Sequence, residues 1–192
     1  MERELILTGV GGQGVQLAAQ VLAKAAVQEG RFVMLLGTYG GTMRGGNTDS
    51  TLVVADAPIT SPPIVSRVWS VVAMHHQFWG PAQARMRPGC VVVVNHPVFT
   101  APIDRRAHRV FEVSAGEIAT RIGSPLAASM VLVAAHARIT GLVGLEALVA
   151  GMRESVPPYR RQHVEANEKA LRAGFDAVAP GAAPAWAASE AA

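Results

Sequence analysis

The chain has 192 residues, 50% of them hydrophobic and 16% charged, with a formal net charge of +3. That length suits one α/β domain with a buried core, and the small, scattered basic excess argues against a nucleic-acid-binding protein. A single cysteine, Cys90, excludes a disulfide framework and a Cys-ligated iron–sulfur cluster held by this chain alone.

The N-terminal stretch "MERELILTGVGGQG" lacks a signal-peptide pattern, and no apolar run is long enough to span a bilayer, so a cytoplasmic location is expected. Residues 4–8 read as a buried strand that enters a turn with four glycines in six positions, Gly9 to Gly14. Residues 15–29 follow as a helix. Gln16, Gln20, Lys24 and Gln28 form its polar stripe, and Val15, Ala18, Ala19, Leu22, Ala25 and Ala26 its apolar face. Gly30 ends it, and residues 32–36 form a second strand. A strand, helix and strand of this length predict a βαβ unit with parallel strands. Residues 37–47, "GTYGGTMRGGN", are a second glycine-rich loop. Strands are expected at 50–55, 68–74, 90–95 and 108–113, with a short helix near 80–86.

Helices are then expected at 115–121, 126–140, 144–152 and 160–175. Residues 176–192 end in an Ala/Pro-rich run and are expected to be disordered and removable without harm to the fold. The domain is thus residues 1–175. Its expected class is α/β, three-layer and Rossmann-like, with a mostly parallel sheet, helices on both faces and a helical C-terminal half. The low charge also points to a subunit interface.

Gly9, Gly11 and Gly14 fit the G-x-G-x-x-G pattern between strand and helix. Glycines there permit a tight turn and bring peptide N–H groups close to an anion at the helix N-terminus. A dinucleotide site also wants an acid at the end of the second strand, yet no Asp or Glu lies between Glu29 and Asp49. A stand-alone nucleotide-dependent dehydrogenase is therefore the weaker reading. The C-terminal ends of parallel strands share one sheet edge, so the two glycine loops should face each other. Arg44, beside Gly45 and Gly46 and near Tyr39 and Asn47, can grip a phosphate or carboxylate with its guanidinium fork, pair with a partner chain's acid, or stay solvated. Spacing alone leaves all three open. No metal cluster or nucleophile elbow is evident, and adjacent His75 and His76 are expected to point apart. The Mg-binding GDG…N pattern of thiamine diphosphate enzymes is absent.

"GVGGQGVQLAAQVLAKAAVQEG", "TYGGTMRGGNTDSTLVVADAPITSPPI" and "ASMVLVAAHARITGLVGLEALVAGMRESVPPYRRQHVEANEKALRAGF" together resemble the gamma subunit of 2-oxoacid:ferredoxin oxidoreductases, the pyruvate, ketoisovalerate and indolepyruvate oxidoreductase type. The resemblance covers most of residues 4–175. It implies oxidative decarboxylation of a 2-oxoacid to an acyl-CoA by a multi-subunit enzyme. It assigns thiamine diphosphate, Mg and iron–sulfur clusters to partner alpha and beta subunits, with a delta subunit left open, and ferredoxin or another acceptor reached through them. This chain alone would bind no cofactor, with coenzyme A a candidate at the interface. Gly11, Gly12, Gln13 and Gly14 would line the anion-binding turn, and Arg44, Gly45 and Gly46 would clamp a phosphate or a partner carboxylate. The chain departs from the family's usual residues at Thr42, Ser129 and the strand start near Val68 and Trp69. A purely structural interaction subunit is the remaining alternative.

Overall fold

The computed structural model describes residues 1–39, 45–60 and 64–186. Six strands form one sheet: β1 (Glu2–Val10), β2 (Phe32–Tyr39), β3 (Asn47–Ala55), β4 (Val68–Ala73), β5 (Met86–Asn95) and β6 (Arg109–Val113). Six helices accompany them: α1 (Val15–Gln28), α2 (Trp79–Gln83), α3 (Ala115–Arg121), α4 (Ala128–Thr140), α5 (Leu145–Ser155) and α6 (Val164–Asp176). Short 3-10 segments at Pro125–Ala127 and Pro158–His163 precede α4 and α6.

The sheet order is β2-β3-β1-β4-β5-β6. β1, β4, β5 and β6 run parallel, while β3 is antiparallel to both its neighbours, β1 and β2. The expected βαβ unit is therefore corrected: β1 and β2 point the same way, but β3 lies between them. The reason is register. β3 carries a buried run, Ser50 to Ala55, that pairs Leu52 with Leu5 on one side and Leu35 on the other. The sheet is mixed, in an α/β fold with a helical C-terminal half.

Strand alternation sends side chains to two unequal layers. Leu5, Leu7, Leu52, Val54, Val72, Val91 and Val93 meet α1, α4 and α5 in the main core. Ile6, Val71, Ala73, Cys90, Val92 and Val94 meet α2 through Trp79 and Ala82 in a smaller one. Among the described residues one face thus holds nearly all the helices, and the other holds only the five-residue α2. Cys90 sits fully buried there, and burial pushes its thiol up to about 12.

α1 is buried beyond its expected apolar face, at Val21 and Ala23 as well. α5 packs along that flank, and a Cβ on Gly151 would stand 2.8 Å from the Val21 carbonyl oxygen, so only glycine allows this approach. Lys24 and Gln28 of the polar stripe reach Glu154 at the end of α5. α4 is the central helix, buried at nearly every position from Ser129 to Thr140. Its fully buried His136 meets no carboxylate among the described residues. Ser70 on β4 donates its hydroxyl to the Val91 carbonyl, so it accepts from His136 Nε2–H at 2.9 Å. Burial pushes this imidazole down to about 4.

The tail is a second correction. Gly181, Ala183 and Ala185 donate backbone bonds to the carbonyls of Arg138, Ile139 and Thr140 at 3.0, 3.0 and 2.6 Å. Ala183 and Ala185 are buried, the Trp186 indole donates to the Leu142 carbonyl, and Arg31 stacks on its ring. The end of α4 turns left-handed at Gly141 and leaves its last carbonyls open. The tail satisfies them, so its small residues are a fit to a tight site. Residues 187–192 lie outside the described residues.

Candidate functional site

Gly14 caps α1 in the left-handed region, at φ 79°, and among the described residues no side chain caps the helix. The first turn holds no acid, so its free N–H groups and positive dipole end face the turn unopposed. Gln13 folds back, its side-chain oxygen accepting the Val10 N–H at 2.8 Å. The Gly46 carbonyl accepts the Gly11 N–H at 2.8 Å, and the Gly11 carbonyl accepts the Gly45 N–H at 3.3 Å. The two glycine loops are thus joined backbone to backbone, as their shared sheet edge predicts.

The turn lies where the topology divides. From β1 the chain leads toward the β2 edge, and from β4 it leads toward the β6 edge, so the crevice between β1 and β4 is a switch point. A cavity of about 240 Å³ occupies it, lined by Gly12, Gln13, Met74, Asn95, Gly116 and Ser129 among others. α4 also begins here without a side-chain cap, and Ser129 in its first turn stands against the glycine turn. A Cβ on Gly14 would lie 2.8 Å from Ser129 Oγ. Two uncapped helix N-termini therefore converge on one crevice, the arrangement that favours an anion.

A larger cleft of about 500 Å³ opens on the other side of Leu126 and Ser129. It runs from Gly12 and Gly14 past Gln16 and Gln20 to Tyr159, Arg160, His163 and Asn167, with no carboxylate among its lining residues. Another cavity of similar size, about 520 Å³, lies between α3 and α6. Glu112, Glu117 and Asp176 line it beside Arg121, so its charge disfavours anions and it is remote from the glycine turn.

Of the residues singled out in the sequence, Gly11, Gly12, Gln13, Gly14, Gly45, Gly46 and Asn47 are brought together. Asn47 starts β3, and its amide donates to Asp49 at 3.0 Å. Tyr39 ends β2, its backbone in register with Thr48. Arg44 lies outside the described residues. His75 and His76 do not point apart: their rings stack with centroids 4.5 Å apart, in the loop after β4 where no strand alternation separates them. Among the described residues, no three His, Cys, Asp or Glu side chains gather as a metal site. Sequence reasoning missed Asn95, Asn167, Arg160 and His163, which the fold delivers from distant elements. Only Ser129 carried a signal, as a departure from the family's usual residue. No described helix is long and apolar enough to cross a membrane.

A family model described as pyruvate ferredoxin/flavodoxin oxidoreductase matches residues 4–177. The 2-oxoglutarate synthase subunit KorC of Methanothermobacter thermautotrophicus is 30% identical, over 94% of this chain and 97% of its own length. The keto/oxoacid ferredoxin oxidoreductase gamma subunit of Geobacter sulfurreducens superposes with a TM-score of 0.79 at 25% identity, covering 92% of this chain and 96% of that one. The pyruvate oxidoreductase subunit PORC of Thermotoga maritima gives a TM-score of 0.72 at 25% identity, with the same coverage of 92% and 96%.

Proposed function

The chain belongs to the pyruvate ferredoxin/flavodoxin oxidoreductase family and is a gamma-type subunit of a multi-subunit 2-oxoacid oxidoreductase, and from that premise we propose that it supplies the coenzyme A side of the active assembly. In this reading its glycine-turn crevice holds a coenzyme A phosphate at an interface with alpha and beta subunits in the cytoplasm. Those partners carry thiamine diphosphate, Mg and iron–sulfur clusters, which supply decarboxylation and electron transfer to ferredoxin or a similar acceptor. The observation that carries the reading is the pair of bonded glycine loops beside the uncapped N-termini of α1 and α4.

This chain's own donor set does not fit a cluster. Its one thiol is buried in β5 and pushed up to about 12, the reverse of what a ligand thiolate requires. What its residues do is bind and orient. The Gly11 and Gln13 N–H groups are already bonded to the Gly46 and Val10 carbonyls, so the anion is proposed to meet the N–H groups that begin α1, which fix it without the reorganisation that mobile side chains would need. Gly45, Gly46 and Asn47 hold the second loop against the first, and Arg44 is proposed as the clamp that this loop presents.

The test is a titration of the assembled complex with coenzyme A, wild type against Gly14→Ala. Weakened binding with intact assembly is the expected result. Unchanged affinity would favour a purely structural subunit whose loops only fit a partner surface.

A further inference from the structure

The far wall of the 500 Å³ cleft carries polar groups that the fold leaves unused. Ser129 is 4% exposed and Asn167 9% exposed, both line the cleft, and neither side chain has a hydrogen-bond partner among the described residues. Their polar atoms open onto the cleft, where they are free to bond a group placed in it.

The outer end of the cleft is cationic. Tyr159, Arg160 and His163 stand exposed on the Pro158–His163 turn, which buries no residue, and the Arg160 guanidinium lies 5.6 Å from the Tyr159 ring centroid. On the helices around this turn cations are paired, Arg153 with Glu168, Lys169 with Glu165, and Arg172 with Glu146 and Glu168, and of the two arginines on the turn itself only Arg160 lines the cleft. Arg160 has no carboxylate partner among the described residues. The inner end is the α1 N-terminus at Gly14. The cleft therefore has two positive poles, one of peptide dipoles and one of a guanidinium, with hydrogen-bonding groups between them.

We propose that this cleft takes a ligand with two separated phosphate groups, that Arg160 holds the phosphate farther from the glycine turn, and that Tyr159 covers an attached ring. The assignment rests on the coenzyme A reading above. On that molecule Arg160 meets the ribose 3′-phosphate, the adenine lies against Tyr159, and the diphosphate lies at the α1 N-terminus. Ser129 and Asn167 bond the groups between the two poles. A guanidinium fork matched to a phosphate is lost on replacement by a neutral amide.

The experiment compares coenzyme A with dephospho-coenzyme A, which lacks the 3′-phosphate, on the assembled oxidoreductase. Wild type, Arg160→Gln and Arg161→Gln are measured. Arg161 is exposed on the same turn but does not line the cleft. Arg160→Gln should raise the Kd for coenzyme A about tenfold or more and leave that for dephospho-coenzyme A unchanged, erasing the wild-type preference. Arg161→Gln should keep that preference. If Arg160→Gln retains the preference, or Arg161→Gln loses it equally, the assignment falls while the coenzyme A reading stands. If the wild-type complex binds neither compound, both fall together.

Discussion

Gly14→Ala tests whether the glycine turn is shaped by geometry that only glycine meets. Gly14 has φ 79°, where a Cβ costs about 1–2 kcal/mol. The new methyl would also lie 2.8 Å from Ser129 Oγ, so either the hydroxyl turns out of its position toward the adjoining cavities or the start of α4 shifts. Overpacking of this kind adds about 1–3 kcal/mol. Together the loss should be about 2–5 kcal/mol, read as a lower urea midpoint with an unchanged m-value. Ser129→Ala removes the near oxygen and leaves its Cβ at 3.6 Å, an ordinary contact. In that background Gly14→Ala should cost only the backbone part, so a double-mutant cycle should show coupling of about 1 kcal/mol or more. A Gly14→Ala chain as stable as wild type, or a cycle with no coupling, would refute the reasoning.

Stability should fall below pH 6.5 through His136. Its folded value of about 4 lies below the ordinary 6.5, so the unfolded chain takes up the proton first as pH drops. Stability is full above about pH 6.5, is lost progressively as pH falls through 4, and is lower at pH 5 than at pH 7 by about 2 kcal/mol from this group. His136→Gln should remove that difference, and parallel stability curves for the two proteins over pH 5–7 would contradict it. Deleting residues 177–192 removes three backbone bonds and the Trp186 indole bond, at about 1 kcal/mol each, so the melting temperature should drop by roughly 10 °C; a drop under two degrees would show that the tail packing contributes nothing. Arg44→Lys should raise the KM for coenzyme A about tenfold if Arg44 clamps a ligand phosphate, or loosen the complex if it pairs with a partner carboxylate. Wild-type kinetics and wild-type co-elution would remove Arg44 from the site.

Much of the fold is legible because each element carries a local signal. The periodicity after Gly14 places α1 to within one residue, and α3 falls at its expected bounds. The place of β3 was not legible. Its buried run suits a central strand of either direction, and only pairing across distant registers inserts it between β1 and β2. The tail was misread because alanine and proline resemble a linker by composition. Whether they pack depends on the open carbonyls at Arg138, Ile139 and Thr140, which belong to another element. The same division holds at the site. The glycine turn announces itself through residues that have few other uses at that spacing. Asn95, Asn167, Arg160 and His163 look like ordinary strand and helix residues until β5, α6 and the Pro158–His163 turn bring them to the sheet edge.

The most direct measurement is to purify this chain, tagged, from the cells that make it and assay the eluate for coenzyme A-dependent oxidation of 2-oxoacids with a low-potential dye. A coloured, cluster-bearing complex with further subunits, active only while this chain is present, is the predicted result. A colourless chain that elutes alone, from cells whose coenzyme A-dependent 2-oxoacid oxidation persists when the chain is depleted, would contradict the account.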